Sequence, residues 1–263
     1  GNNHLNRKYL SNHPLHFDNT VGIMKLDQKF NFLFDKEILS NGARFQSGCP
    51  TADGGFVLLG HNQNPSAFLP FSANSSRNAA NSDDSDFLLA KFDSNGTLQW
   101  DKRYSGSSSV YNPYYTDGSI GWDLVQCEDG GFLLGGYSSD NLGNDKTAGS
   151  LGHADFWIVR TDENGSKLWD KRYGGSSWDG INFILKSNEN GFLLCGETHS
   201  PLGGDLGQPY FNSSTNNGND IWLVRVDDNG TLLWENRYGG SSPEYLESAI
   251  LSPDNGAILV VST

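Results

Sequence analysis

Aromatic rings set among short polar side chains are the chief chemical signal in this chain. Tyr111, Tyr114 and Tyr115 fall in the run YNPYY, and Tyr210 and Phe211 open a stretch of Asn, Ser and Gly. Trp122 and Trp178 stand where strand patterns begin, with Asp179 beside the second. Such rings stack on the apolar C–H faces of sugars, while nearby Asn, Asp and Ser exchange hydrogen bonds with hydroxyls. Tyr9, Phe17, Phe68 and Phe71 belong to the same class of loop aromatics. The competing reading makes these rings a small satellite core that pins long loops down.

Acidic residues in Gly-rich loops offer a second chemistry. Asp140, Asp145 and Asp205 are the set that would suit calcium, a hard cation that takes oxygen ligands. The regular spacing of a calcium-binding helix–loop–helix is absent. Asp123, Asp179 and Glu244 are expected near the starts of successive strands, where two carboxylates could act on a glycosidic bond or simply bridge neighbouring repeats. No G-x-S-x-G elbow occurs, and none of the six His forms a metal-binding pair on regular structure. Cys49, Cys127 and Cys195 lie in no C-x-x-C and read as small buried hydrophobes.

Composition limits what could position these groups. The 263 residues include 32 Gly, 7 Trp, 10 Tyr and 15 Phe, with only 19% charged. That excludes a coiled coil and argues against disorder, because ample aromatic area is available to bury. A net charge of −13 argues against nucleic acid as a partner. No apolar run approaches the length of a transmembrane helix.

The positioning scaffold is a repeat. DFLLAKFDSNGTLQWDKRY from Asp86 returns as DFWIVRTDENGSKLWDKRY from Asp155 and DIWLVRVDDNGTLLWENRY from Asp220. A degenerate copy, VGIMKLDQKFNFLFDKEI, starts at Val21. The shared aspartates Asp27, Asp93, Asp162 and Asp227 are 66, 69 and 65 residues apart. Between them runs a second phrase, ADGGFVLLG at Ala52, EDGGFLLGG at Glu128 and ENGFLLCGE at Glu189, with a weaker DNGAILVVS at Asp254. Each period therefore holds four strand patterns, A to D, exemplified by Ile181–Lys186, Gly191–Glu197, Asp220–Val226 and Thr231–Tyr238. Asp-Gly-Gly or Asn-Gly joins A to B, and Asp-x-Asn-Gly joins C to D, as tight hairpins require.

Tandem four-stranded antiparallel units with apolar inner strands predict an all-β propeller in a single domain, 1–263. The chain opens with a C–D pair and ends with an A–B pair. Joining 19–39 to 244–262 would complete a fourth blade and remove the exposed sheet edges. A window cut from a longer array gives the same arithmetic. The tight turns then share one end. The long connections 61–85, 105–120, 139–154 and 199–219 share the other, which makes that end the expected binding face. Trp100, Trp169 and Trp234, with Phe34 in the degenerate copy, are expected to pack one blade on the next. Arg103, Arg172 and Arg237 are expected on a solvated outer strand.

The repeat YGGSSWDGINFILKSNENGFLLCGE, followed by NDIWLVRVDDNGTLLW, resembles the tandem propeller repeats of secreted Bacteroidetes proteins across nearly the whole chain. The segment VDDNGTLLW is also similar to the tryptophan-docking repeat of PQQ-like propellers and to the Asp-box turn of sialidases. The first resemblance implies export by type IX secretion, or display on the outer membrane of a Gram-negative cell. It implies no single activity. The expectation is a non-catalytic binding propeller for a glycan or an envelope protein. The alternatives are a propeller glycan hydrolase or lyase, and an architectural subunit of a larger surface assembly.

Overall fold

The computed structural model describes residues 20–39, 43–62, 85–107, 118–209, 218–254 and 256–263. Among them every element is a strand, and every pairing between neighbouring strands is antiparallel. Three sheets have four strands in chain order. The first is β3 (Ala43–Pro50), β4 (Phe56–Asn62), β5 (Asp86–Phe92) and β6 (Leu98–Tyr104). The second is β7 (Ser119–Gln126), β8 (Phe132–Ser138), β9 (Asp155–Thr161) and β10 (Lys167–Tyr173). The third is β11 (Asp179–Lys186), β12 (Phe192–Thr198), β13 (Asp220–Val226) and β14 (Leu232–Tyr238). Two hairpins flank them, β1 (Thr20–Leu26) with β2 (Phe32–Leu39) and β15 (Tyr245–Leu251) with β16 (Ala257–Ser262), each a separate two-stranded sheet.

The repeated phrases form these strands for the expected reason. The central pair in each sheet is an unbroken apolar run because both faces are covered. β5, β9 and β12 are buried along their whole length. Four apolar seams join the five sheets face to face, from the β1–β2 hairpin through to β15–β16. Two interior seams carry the same contact, Phe87 on Trp157 and Phe156 on Trp222, each with ring centres 4.7 Å apart and planes tilted by 52°. Cys127 and Cys195 are buried in two of the seams, Cys49 is half-buried against a third, and all three thiols are free. Burial pushes them up to about 11, 12 and 11 respectively, which suits packing rather than reactivity.

The turn end is built from aspartate and positive φ. Asp27, Asp93, Asp162 and Asp227 each accept two backbone N–H groups with Oδ1 across the turn that follows. The left-handed position is Gly96, Gly165 and Gly230, but Phe30 in the degenerate copy, at φ 61°. Each of these glycines also touches the preceding sheet. A side-chain carbon at Gly165 would fall within 2.8 Å of the Trp100 ring, and at Gly230 within 2.8 Å of Trp169. At Gly96 it would meet Phe34 at 3.0 Å. The Tyr104 and Tyr173 hydroxyls donate to the carbonyls of Gly165 and Gly230. The recurrent aromatic therefore does pack one sheet on the next at these three seams. In the third sheet, Trp234 and Tyr238 are 43% and 51% exposed.

One device was not anticipated. Strands β3, β7, β11 and β15 each carry one extra residue at the same place: Gln46, Trp122, Asn182 and Glu247. Such a bulge bends the strand and re-aims a side chain. Opposite the first three stand Gly60, Gly136 and Gly196. A side-chain carbon there would lie 1.7, 1.9 and 2.1 Å from the carbonyls of Arg44, Ile120 and Gly180. The glycine closing each LLG, LGG or LCG phrase is thus demanded by the bulge.

Candidate binding face

The long connections gather at the end opposite the Asp-Gly turns, and their described parts are tightly organised. The β8–β9 and β12–β13 connections begin with the same fold, Leu142-Gly143-Asn144-Asp145 and Leu202-Gly203-Gly204-Asp205. In each the first glycine exchanges backbone bonds with the residue three places on, Lys146 or Leu206. Asp145 N–H donates to Ser105 O, and Asp205 N–H to Gly174 O, so each loop is sewn to the connection leaving the preceding sheet. The carboxylates repeat this: Asp145 accepts from Ser105 N at 3.3 Å and Asp205 from Gly174 N at 3.0 Å. Leu142 and Leu202, at matching loop tips, are 61% and 59% exposed.

Below the loops lies a buried polar layer. In the second sheet Asp140 accepts from Gly106 N at 3.0 Å and from the Ser119 hydroxyl at 2.7 Å. In the third, Asp179 accepts from Gly175 N and the Ser200 hydroxyl, both at 2.8 Å, and from Thr198. Ser119 and Asp179 head equivalent strands, while Asp140 and Ser200 are equivalent loop residues. Acid and hydroxyl have therefore exchanged places between repeats while binding the same kind of backbone amide. Burial raises Asp179 against the lowering pull of its hydrogen bonds.

The buried cations also differ. Lys146, 2% exposed, donates to Ser138 O and Oγ, Asp140 O and Ser150 Oγ. Burial lowers it to about 8. Arg237 is fully buried beside Asp220 at 3.1 Å and donates to the carbonyls of Ser200 and Gln208. Arg172 reaches Asp205 at 3.5 Å. This corrects the expectation of a solvated outer strand: two of the recurrent arginines turn inward to hold the loop of their own or the next sheet.

The remaining site residues separate into three groups. Tyr111, Tyr114, Tyr115, Tyr210 and Phe211 lie outside the described residues, as do Tyr9, Phe17, Phe68 and Phe71. Trp178 is half-buried in a stack, edge-on to Tyr137 at 5.4 Å and tilted against His199 at 5.2 Å, so it braces a seam. Trp122 is 37% exposed.

Asp140, Asp145 and Asp205 are not brought together. Asp145 and Asp205 occupy the same position in successive repeats, and backbone amides bind the oxygens of all three. Among the described residues no group of three or more His, Cys, Asp or Glu could hold a metal ion.

The carboxylates Asp123, Asp179 and Glu244 are not level either. Asp179 begins β11, and the Glu244 N–H makes the matching bond to Asn219 O. In the second sheet that place belongs to Ser119; Asp123 stands four residues further on, about 13 Å along a strand. It spans three sheets, accepting from the Ser47 hydroxyl on β3 at 2.7 Å and from Ile184 N on β11 at 2.8 Å.

Compared with known proteins, the chain matches no family model and no curated sequence. Among the described residues no helix is long and apolar enough to cross a membrane.

Proposed function

We propose that the chain is a four-bladed β-propeller acting as a non-catalytic binding module, secreted or displayed on the outer membrane of a Gram-negative cell. The three four-stranded sheets are three blades, and β15–β16 with β1–β2 make the fourth. The long-loop end recognises a glycan or a cell-envelope protein.

One observation carries this reading: the two ends of the sheets are built to different rules. The turn end repeats one solution, an aspartate and a left-handed residue, in all four copies. The loop end keeps a common buried framework of carboxylates and backbone amides while its outer loops vary in length and composition. A rigid base under variable loops is how binding surfaces are assembled. Location outside the cell rests on the resemblance of the repeat to secreted propellers. The paired exposed leucines Leu142 and Leu202 favour a protein partner over a sugar at the loop tips, and with it the architectural reading.

A glycan-array screen with calcium, repeated with EDTA, tests the proposal. Binding lost on joint Tyr114→Ala and Tyr115→Ala substitution supports the loop face. A blank array in both conditions removes the glycan and leaves a protein partner. Unchanged binding in the double variant sinks the loop face as the site.

A further inference from the structure

The four bulges fall at one level of the four inner strands, and bulged positions are where sheets re-aim side chains toward ligands. A single carboxylate shows how close these strands run. Asp123 bonds β3 through Ser47 and β11 through Ile184 while belonging to β7, so one short side chain staples three successive sheets. Ser47 and Asp123 directly follow the bulged Gln46 and Trp122, and Ile184 lies two residues beyond Asn182. The bulged residues therefore crown the staple on the side facing the long loops. Gln46 is exposed and Trp122 is 37% exposed. Asn182 Oδ1 is buried and accepts no hydrogen bond among the described residues. No bond explains why a polar oxygen should be held there, and an unmet buried acceptor is destabilising.

We propose that Gln46, Trp122 and Asn182 form the floor of an axial pocket for one neutral sugar ring, closed below by Asp123. This rests on the loop-end binding reading and gives it a specific subsite. The indole offers a stacking face, the Gln46 and Asn182 amides offer donors and acceptors for ring hydroxyls, and the unmet Asn182 oxygen takes a sugar O–H. Closure of the fourth blade adds Glu247, whose carboxylate already accepts the Ser262 hydroxyl at 2.7 Å. The carboxylate of Asp123 beneath the floor disfavours acidic sugars.

The test is a tryptophan-emission titration of the whole chain with glucose, mannose, galactose, N-acetylglucosamine and glucuronate. At least one neutral sugar shifts the emission saturably; Trp122→Phe abolishes the shift, and Asn182→Ala weakens binding at least tenfold. Gln46→Ala, an exposed substitution that spares the fold, weakens it about threefold. Circular dichroism and thermal melting verify folding, and if Asn182→Ala does not fold, Gln46→Ala decides. The pocket is overturned if no neutral sugar shifts the emission, if the shift survives Trp122→Phe, or if a folded Asn182→Ala or Gln46→Ala binds as wild type. Glucuronate binding as tightly as the neutral sugars overturns the assignment of class. A blank array beside a saturable titration leaves the outer loops to a protein partner and keeps the pocket. Array binding indifferent to Trp122→Phe sinks the pocket alone.

Discussion

The second and third sheets share a strand plan and a turn chemistry but are finished differently. Trp169 and Tyr173 in the second meet the Gly230 turn of the third, whereas Trp234 and Tyr238 in the third are half exposed. The second buries a lysine among hydroxyls and carbonyls; the third buries an arginine against Asp220. The strand plan is thus fixed by apolar pattern and turns, while charge balance at the loop end is solved separately in each repeat. Under the proposed blade closure, the exposed Trp234 and Tyr238 would meet the turn Asp27–Asn31.

Removing the buried cation probes the contrast hardest. Arg237→Met removes the cation from the buried Asp220, which then faces the neighbouring Glu244 carboxyl without it, and lowers stability by about 3–5 kcal/mol in urea unfolding. Lys146→Met loses less, because the hydrogen-bond acceptors of that ammonium are neutral carbonyls and hydroxyls. Equal losses would erase the distinction between the two sheets. Trp169→Ala opens a half-filled seam and costs roughly 2–3 kcal/mol. Trp234→Ala matches it if the ring closes over that face. A loss below about 1 kcal/mol would place Trp234 in solvent and break the closure proposal.

Titration separates the sheets next. Burial pushes Asp155 up to about 7, while Asp220 faces an arginine directly. A carboxyl whose folded value is raised binds its proton more tightly in the folded state. Its contribution is present below about pH 4 and is lost as pH rises through 7. Relative to Asp155→Asn, wild type therefore loses roughly 4 kcal/mol between pH 4 and 8. Melting temperatures measured across that range reveal it, and a constant difference would refute the assignment. The smallest effect is that of Tyr173→Phe, about 1 kcal/mol for the lost bond to Gly230 O. Tyr238→Phe costs the same only if a turn docks there.

Much of the scaffold was legible in the sequence. Strand D follows Asp-x-Asn-Gly because that turn needs a short acceptor and a left-handed residue, both written in the residue types. The buried runs FLLC and IWLV announce central strands for the same reason. The arginines misled, because recurrence on a mixed outer strand looks like a wet edge, and only the returning loop shows that Arg237 turns inward. Asp140 and Asp179 looked like site acids because each was read alone; their partners are hydroxyls at positions that trade roles. A bulge leaves no compositional mark, since one inserted residue can be Gln, Trp, Asn or Glu. In three of the four copies its written trace is the glycine across from it.

That exchange of acid and hydroxyl has an evolutionary consequence. A repeat array grown by duplication need not preserve each position, only each bond. A second-site change from Ser to Asp can rescue the reverse change across the strand, so copies can drift along a path of compensated neighbours. The loops above then diversify over a foundation whose letters change and whose connections do not.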